Sequence, residues 1–131
     1  MNGAPIDCIA DTSAIVGLSR RDHKAIDVLG SRNFAITFIT LAELSLGTLK
    51  SAKPDAAWSR IQEVIRGREM LQVSTLTPAI YARIYYDLEQ RGAMIPINDI
   101  WIGALAIEID LPIVARDEHF FRIKGLSVIS C

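Results

Sequence analysis

The sequence has few cysteines and no long apolar run. Its two cysteines, Cys8 and Cys131, are too few for a disulfide framework and are typical of a protein from a reducing compartment. No stretch reaches the roughly 18 apolar residues that a membrane-spanning helix needs, and residues 1–5 lack the basic segment that opens a secretory leader. We therefore expect a cytoplasmic protein without a membrane partner.

The sequence also lacks an excess of charge of either sign. It contains 14 Lys and Arg residues against 15 Asp and Glu residues, so the net charge is −1 at pH 7. The overall charge therefore gives no argument for nucleic-acid binding, and any contact with phosphate must be local. The two histidines, His23 and His119, are too few and too far apart in the sequence to predict a zinc site.

Half of the residues are hydrophobic, and short apolar segments alternate regularly with segments that have a helical pattern. The length of 131 residues predicts one domain over residues 1–131. Alternating strands and helices predict an α/β fold, a three-layer α/β/α sandwich with a mainly parallel central sheet. The predicted strands are residues 6–10, 34–39, 70–73, 113–115 and, at an edge, 126–129.

Helix signals lie between these strands. A helix is predicted to begin at Thr40, because Thr40–Glu43 has the pattern of a capping box, and another to begin after a Thr77 cap followed by Pro78. The segment 100–109 carries a single charged residue, which predicts a helix buried on most of its faces.

Four acidic residues occupy equivalent places along this pattern. They are Asp11 after the first strand, Glu43 in the first turn after the second, Asp99 at the opening of the buried helix and Asp117 after the fourth strand. In open α/β sheets the ligand crevice lies beyond the carboxyl ends of the strands, so we expect these acids to converge there. Clustered carboxylates repel one another, and a divalent cation offsets that repulsion. An all-oxygen set favours Mg²⁺ or Mn²⁺, ions that support phosphodiester hydrolysis by activating water.

Each candidate also has a purely structural interpretation. Asp11 has the position of an N-cap, Glu43 completes the capping box, and Asp99 lies where a helix dipole favours an acid. Ser13 is a candidate partner for a ligand carboxylate, a metal-bound water or substrate, or a hydroxyl of a first helical turn. Arg116 is a candidate phosphate contact, or a solvated side chain, and His119 is expected to be a loop residue.

Four motifs carry a family resemblance. They are Asp11-Thr12-Ser13, Thr40-Leu41-Ala42-Glu43-Leu44, Asn98-Asp99-Ile100-Trp101-Ile102-Gly103-Ala104 and Ala115-Arg116-Asp117-Glu118-His119-Phe120. In this order and spacing they resemble the motifs of PIN-domain proteins, specifically VapC-type toxins. Two positions depart from that pattern, because many relatives have Thr or Ser at the place of Ala115 and Asp at the place of His119.

The resemblance implies a Mg²⁺- or Mn²⁺-dependent endoribonuclease. Its catalytic and metal-binding acids would be Asp11, Glu43, Asp99 and Asp117. The resemblance also implies a toxin–antitoxin system, with an RNA substrate, a small antitoxin protein that occludes the active site, and a toxin that forms homodimers.

Other functions stay open at this point. A PIN-like module that binds RNA or protein without cleaving is the main alternative, although such a domain would usually lack one or more of the four acids. A phospho-acceptor signalling domain is disfavoured because Asp11 has Ala10 and Thr12 as neighbours in place of a second acid. A phosphatase with an Asp-x-Asp motif is disfavoured because position 13 is Ser.

Overall fold

A computed structural model describes residues 4–131 and contains a five-stranded sheet in which every neighbouring pair is parallel. The strands are β1 (Cys8–Ala10), β2 (Phe34–Thr37), β3 (Met70–Leu71), β4 (Ile113–Ala115) and β5 (Val128–Ser130). Their order in the sheet is β3-β2-β1-β4-β5. The predicted α/β class with a parallel sheet is therefore confirmed.

Helices cover both faces of the sheet, so the central strands are apolar on both sides. The helices are α1 (Thr12–Ser19), α2 (His23–Leu29), α3 (Phe38–Leu49), α4 (Pro54–Ile65), α5 (Thr77–Gln90) and α6 (Ile97–Ile109), and a 3₁₀ turn spans Glu118–Arg122. In β1 the side chain of Ile9 belongs to a core with α5 and α6, whereas Cys8 and Ala10 belong to a second core with the helices α1 to α4. Within residues 4–131, no helix is both long and apolar enough to cross a membrane.

The sheet reverses its strand order at β1. The chain passes from β1 outward through β2 to β3, and then returns to place β4 on the other side of β1. A crevice forms at such a reversal, between the loops that leave the two adjacent strands. Here those loops begin at Asp11 and Arg116, and the Asp11 amide donates to the Val114 carbonyl at 2.9 Å, which holds the two strand ends together.

The predicted start of α3 is wrong. The helix begins at Phe38, and its N-cap is Thr37, whose hydroxyl accepts a hydrogen bond from the Thr40 amide at 3.1 Å. Thr40–Glu43 is therefore not a capping box, and Glu43 lies in the second turn of α3, not in the first. The aromatic and β-branched residues Phe38 and Ile39 favour a strand locally, but the Thr37 cap and burial of Ile39 make them helical.

The predicted Thr77 cap is also wrong. The Thr77 hydroxyl accepts from the Ser74 amide at 2.8 Å and donates to Glu108 Oε1 at 2.5 Å, so it ties the loop before α5 to α6. The third strand is shorter than predicted and ends at Leu71. The last strand begins at Val128, later than predicted, and lies at the edge as expected.

Candidate active site

Asp11 is both a helix cap and a buried acid with one oxygen left over. Its Oδ2 accepts from the Ser13 amide at 3.4 Å and from the Ser13 hydroxyl at 3.0 Å, which caps α1. Its Oδ1 is buried and has no hydrogen-bond partner among the described residues. Because an unpaired buried carboxylate oxygen is costly, this atom fits the role of a cation ligand.

The electrostatics of Asp11 agree with that role. Burial and, to a smaller extent, the negative charge of Asp99 raise the pKa of this carboxyl from 3.8 to about 6, against hydrogen bonds from Thr12 and Ser13 that lower it. The side chain is only 2% exposed, so water screens this repulsion weakly. A divalent cation would reverse the balance by favouring the charged form.

Glu43 is held in place through both of its carboxylate oxygens. The Thr12 hydroxyl donates to Oε1 at 2.5 Å, and the Asn98 amide donates to Oε2 at 3.2 Å. These two partners were not predicted from the sequence, although each is the immediate neighbour of a candidate acid. Together they fix the orientation of Glu43 and leave lone pairs on both oxygens for a further contact.

Asp99, Asp117 and His119 form the closest group of potential metal ligands in the part of the chain that the structure describes. One ligand atom from each residue lies within 4.8 Å of the others. The Nδ1 atom of His119 is 3.0 Å from Asp99 Oδ2. The structure therefore places His119 at the candidate site, whereas the sequence alone suggests an ordinary loop residue.

The charge of Asp99 interacts with the charges of the other three acids. Burial raises the pKa of Asp99, His119 lowers it, and the charges of Glu43 and Asp117 raise it again. Asp99 in turn raises the pKa of Asp11. All four predicted acids thus belong to one group at the carboxyl ends of β1 and β4, and their hard oxygen donors fit a divalent cation such as Mg²⁺ or Mn²⁺.

The two predicted substrate contacts have different partners, because Ser13 bonds to Asp11 and the Arg116 side chain pairs with Asp22. The Ser13 hydroxyl donates to Asp11 Oδ2 and accepts from the Arg116 amide at 3.1 Å, so it supports a candidate ligand. The Arg116 guanidinium is paired with Asp22, the N-cap of α2. It passes over Gly17, where an added Cβ would lie 2.5 Å from Arg116 Nη2. Its contact with substrate stays a prediction.

An apolar groove lies next to the acids. Its volume is about 400 Å³, and Asn98, which holds Glu43, is one of its lining residues. Trp101 forms part of the wall and stacks on Tyr81 with ring centroids 3.9 Å apart. We call this feature the α3–α6 groove, lined by Phe38, Ile39, Ala42, Val73, Pro78, Asn98 and Trp101.

Comparison with known proteins gives consistent matches over nearly the whole chain. The sequence model of the PIN domain family matches residues 8–126 of this chain. Ribonuclease VapC5 of Mycobacterium tuberculosis is 29% identical over 131 residues, which cover 98% of this chain and 96% of that protein. Ribonuclease VapC2 of Rickettsia felis is 31% identical over 106 residues, 79% of each chain. The crystal structure of VapBC2 from Rickettsia felis bound to a DNA fragment from their promoter aligns with a TM-score of 0.87 at 25% identity, covering 96% of this chain and 99% of that one.

Proposed function

The chain belongs to the PIN-domain family, and from this membership and the geometry of the site we propose that it is a VapC-type ribonuclease toxin that cleaves RNA with a divalent metal. One observation carries the metal dependence. Asp11 holds an unpaired, buried carboxylate oxygen and is repelled by Asp99, which is in turn repelled by Glu43 and Asp117. A cation is the simplest partner that relieves both the unpaired oxygen and the repulsion.

The residues divide the work as follows. Asp11, Asp99 and Asp117 would hold Mg²⁺ or Mn²⁺, which supplies an activated water and neutralises charge on the transferring phosphate. Glu43 would be the fourth acid that binds the metal, and Thr12 and Asn98 keep its carboxylate oriented. Ser13 keeps Asp11 Oδ2 occupied, so that Oδ1 is the oxygen that remains for the metal.

Metal removal tests this proposal directly. The purified protein is expected to cleave structured RNA with Mn²⁺ or Mg²⁺, to stop when a chelator is in excess, and to resume when Mn²⁺ is restored. Gel analysis of end-labelled RNA measures all three states. Cleavage that continues at the same rate in excess chelator contradicts metal-dependent hydrolysis.

The same assay addresses the alternative, a PIN-like module that binds RNA or protein without cleaving it. Such a module would retain labelled RNA in a filter-binding assay and leave it intact with every divalent ion. The presence of all four acids, three of them charge-coupled to Asp99, favours the enzyme.

We further propose that an antitoxin occludes this site by docking in the α3–α6 groove. A polypeptide that covers the carboxylates needs apolar surface beside them, and the groove adjoins Glu43 through Asn98. A solved relative of similar fold is a VapBC assembly, as its name states. Val73, which is 45% exposed at the groove, is well placed to contact such a partner.

Val73→Asp tests the groove. We expect it to weaken antitoxin binding by at least about ten-fold, because a charge would be desolvated in an apolar contact, and to leave RNA cleavage unchanged. The protein tested as antitoxin is the product of a neighbouring reading frame that neutralises the toxin, and calorimetry gives the affinity. Leu76→Asp is the matched control, because Leu76 is 64% exposed and lies outside the groove. Equal weakening by both substitutions would argue against docking at this place.

Two further features of the function remain proposals. The resemblance to VapC-type toxins implies a homodimer, and the exposed apolar side chains of Leu46 and Leu49 on α3 are compatible with an additional interface. Light scattering on the purified protein measures its mass in solution. Because the proposed substrate is cellular RNA, we place the protein in the cytoplasm.

A further inference from the structure

His119 supplies a nitrogen atom to a group of otherwise acidic side chains. The ligand atoms of Asp99, Asp117 and His119 lie within 4.8 Å of one another. The His119 side chain is 39% exposed, whereas the Asp99 side chain is only 11% exposed. The imidazole is therefore the more solvent-accessible of these two groups.

The fold holds this histidine against α6. The next residue, Phe120, is fully buried, and Ile123 at the end of the same turn is 4% exposed. Ile123 reaches α6 at Gly103, where an added Cβ would lie 2.6 Å from Ile123 Cδ1. The missing side chain at Gly103 therefore lets the turn Glu118–Arg122 approach the helix that carries Asp99.

The distance between the two groups suits joint coordination of one ion. Ligand atoms about 2.1 Å from a metal at adjacent corners of an octahedron are about 3.0 Å apart. His119 Nδ1 and Asp99 Oδ2 are 3.0 Å apart. Nitrogen donors favour the later divalent transition metals over Mg²⁺, in the order Mn²⁺ below Co²⁺.

We propose that His119 is a metal ligand of this site and that it makes the site prefer Mn²⁺ and Co²⁺ over Mg²⁺. The inference rests on the proposed metal site and refines it, since it assigns a nitrogen ligand beside the four acids. It concerns the metal alone, so it is tested without RNA. A protein that shows the nitrogen ligand but cleaves no RNA would refute the proposed nuclease and leave this assignment standing.

The first test is spectroscopic and uses the unmodified protein. Saturated with Mn²⁺ alone, it is expected to show the coupling of one imidazole nitrogen to the Mn²⁺ electron spin in pulsed electron paramagnetic resonance. If His119 only donated a hydrogen bond to Asp99 and did not bind the metal, the spectrum would show no such coupling. A Mn²⁺-saturated spectrum without nitrogen coupling overturns the proposal.

The second test compares affinities by calorimetry with Mn²⁺, Co²⁺ and Mg²⁺. His119→Ala is expected to lower the affinities for Mn²⁺ and Co²⁺ by at least about ten-fold and to change that for Mg²⁺ by less than about three-fold. His23→Ala is the matched control, because His23 is an exposed residue at the start of α2. His119→Asn keeps a group able to hydrogen-bond Asp99 but removes the imidazole nitrogen, so full recovery of Mn²⁺ affinity in that variant would overturn the role assigned to that nitrogen.

Discussion

Asp99→Asn is expected to reduce RNA cleavage at least about a thousand-fold while the protein stays folded. Asp99 is in contact with His119 and is coupled by charge to Asp11, so its loss removes the centre of the proposed metal site. Metal ions contribute several kcal/mol to transition-state stabilisation, and each 1.36 kcal/mol is a factor of ten in rate, which gives roughly this magnitude. Asn has the same shape, so packing in the first turn of α6 is kept.

The control for this experiment is Asp27→Asn. Asp27 is an exposed acid of α2 that is not one of the four candidate acids, and the substitution makes the same change of charge. It is expected to cleave like the unmodified protein when prepared in parallel. Equal cleavage by Asp99→Asn and Asp27→Asn would point to a contaminating nuclease and would remove the basis for the site.

Asp11→Asn is expected to make the metal-free protein more stable at neutral pH. The pKa of Asp11 is about 6 in the folded protein against 3.8 as its ordinary value, because burial and Asp99 disfavour the charge. A raised folded-state pKa means that this carboxyl costs no stability below pH 3.8, where it is protonated in both states, and that its cost grows as the pH rises to about 6 and stays in full above it. The free energy lost is about 3 kcal/mol.

Asn cannot ionise and therefore avoids this loss, and it also remains a good N-cap for α1. We expect Asp11→Asn to exceed the unmodified protein in free energy of unfolding by up to about 3 kcal/mol at pH 7.5 and by little near pH 4. Urea unfolding with chelator at both pH values measures the difference. A gap that does not change with pH would show that Asp11 is not destabilised by its charge.

Metal should reverse that order. Mn²⁺ that binds only the folded state stabilises it by about 2.7 kcal/mol at a free concentration one hundred times the dissociation constant. The unmodified protein is therefore expected to gain melting temperature with the logarithm of Mn²⁺ concentration, and Asp11→Asn to gain much less. No gain up to millimolar Mn²⁺ in the unmodified protein would contradict a preformed site.

The sequence by itself determined the class of fold and the location of the acids. Runs such as Cys8–Ala10 and Ile113–Ala115 are short and apolar at every position, which is typical of strands that are covered on both faces. An acid that follows such a strand must lie at the sheet's carboxyl edge, so the group of Asp11 and Asp117 was predictable from local pattern alone.

Only the tertiary structure decided where α3 begins. The residues of Phe34–Ile39 are aromatic, β-branched or alanine, so the local sequence favours a strand over the whole segment. The chain turns at Thr37 because its hydroxyl caps the helix and because Ile39 fits the core beneath α6. Such packing involves residues distant in the sequence, and no local pattern contains it.

Tertiary structure also decided which neighbours the acids have. Thr12 and Asn98 meet at Glu43 from two different helices, and His119 meets Asp99 because Gly103 admits the turn that carries it. Arg116 pairs with Asp22 because the packing of α2 brings the N-cap of that helix close to the guanidinium. Sequence pattern places a side chain at an edge of the sheet, but its hydrogen-bond partners depend on how helices pack there, and that is a property of the whole fold.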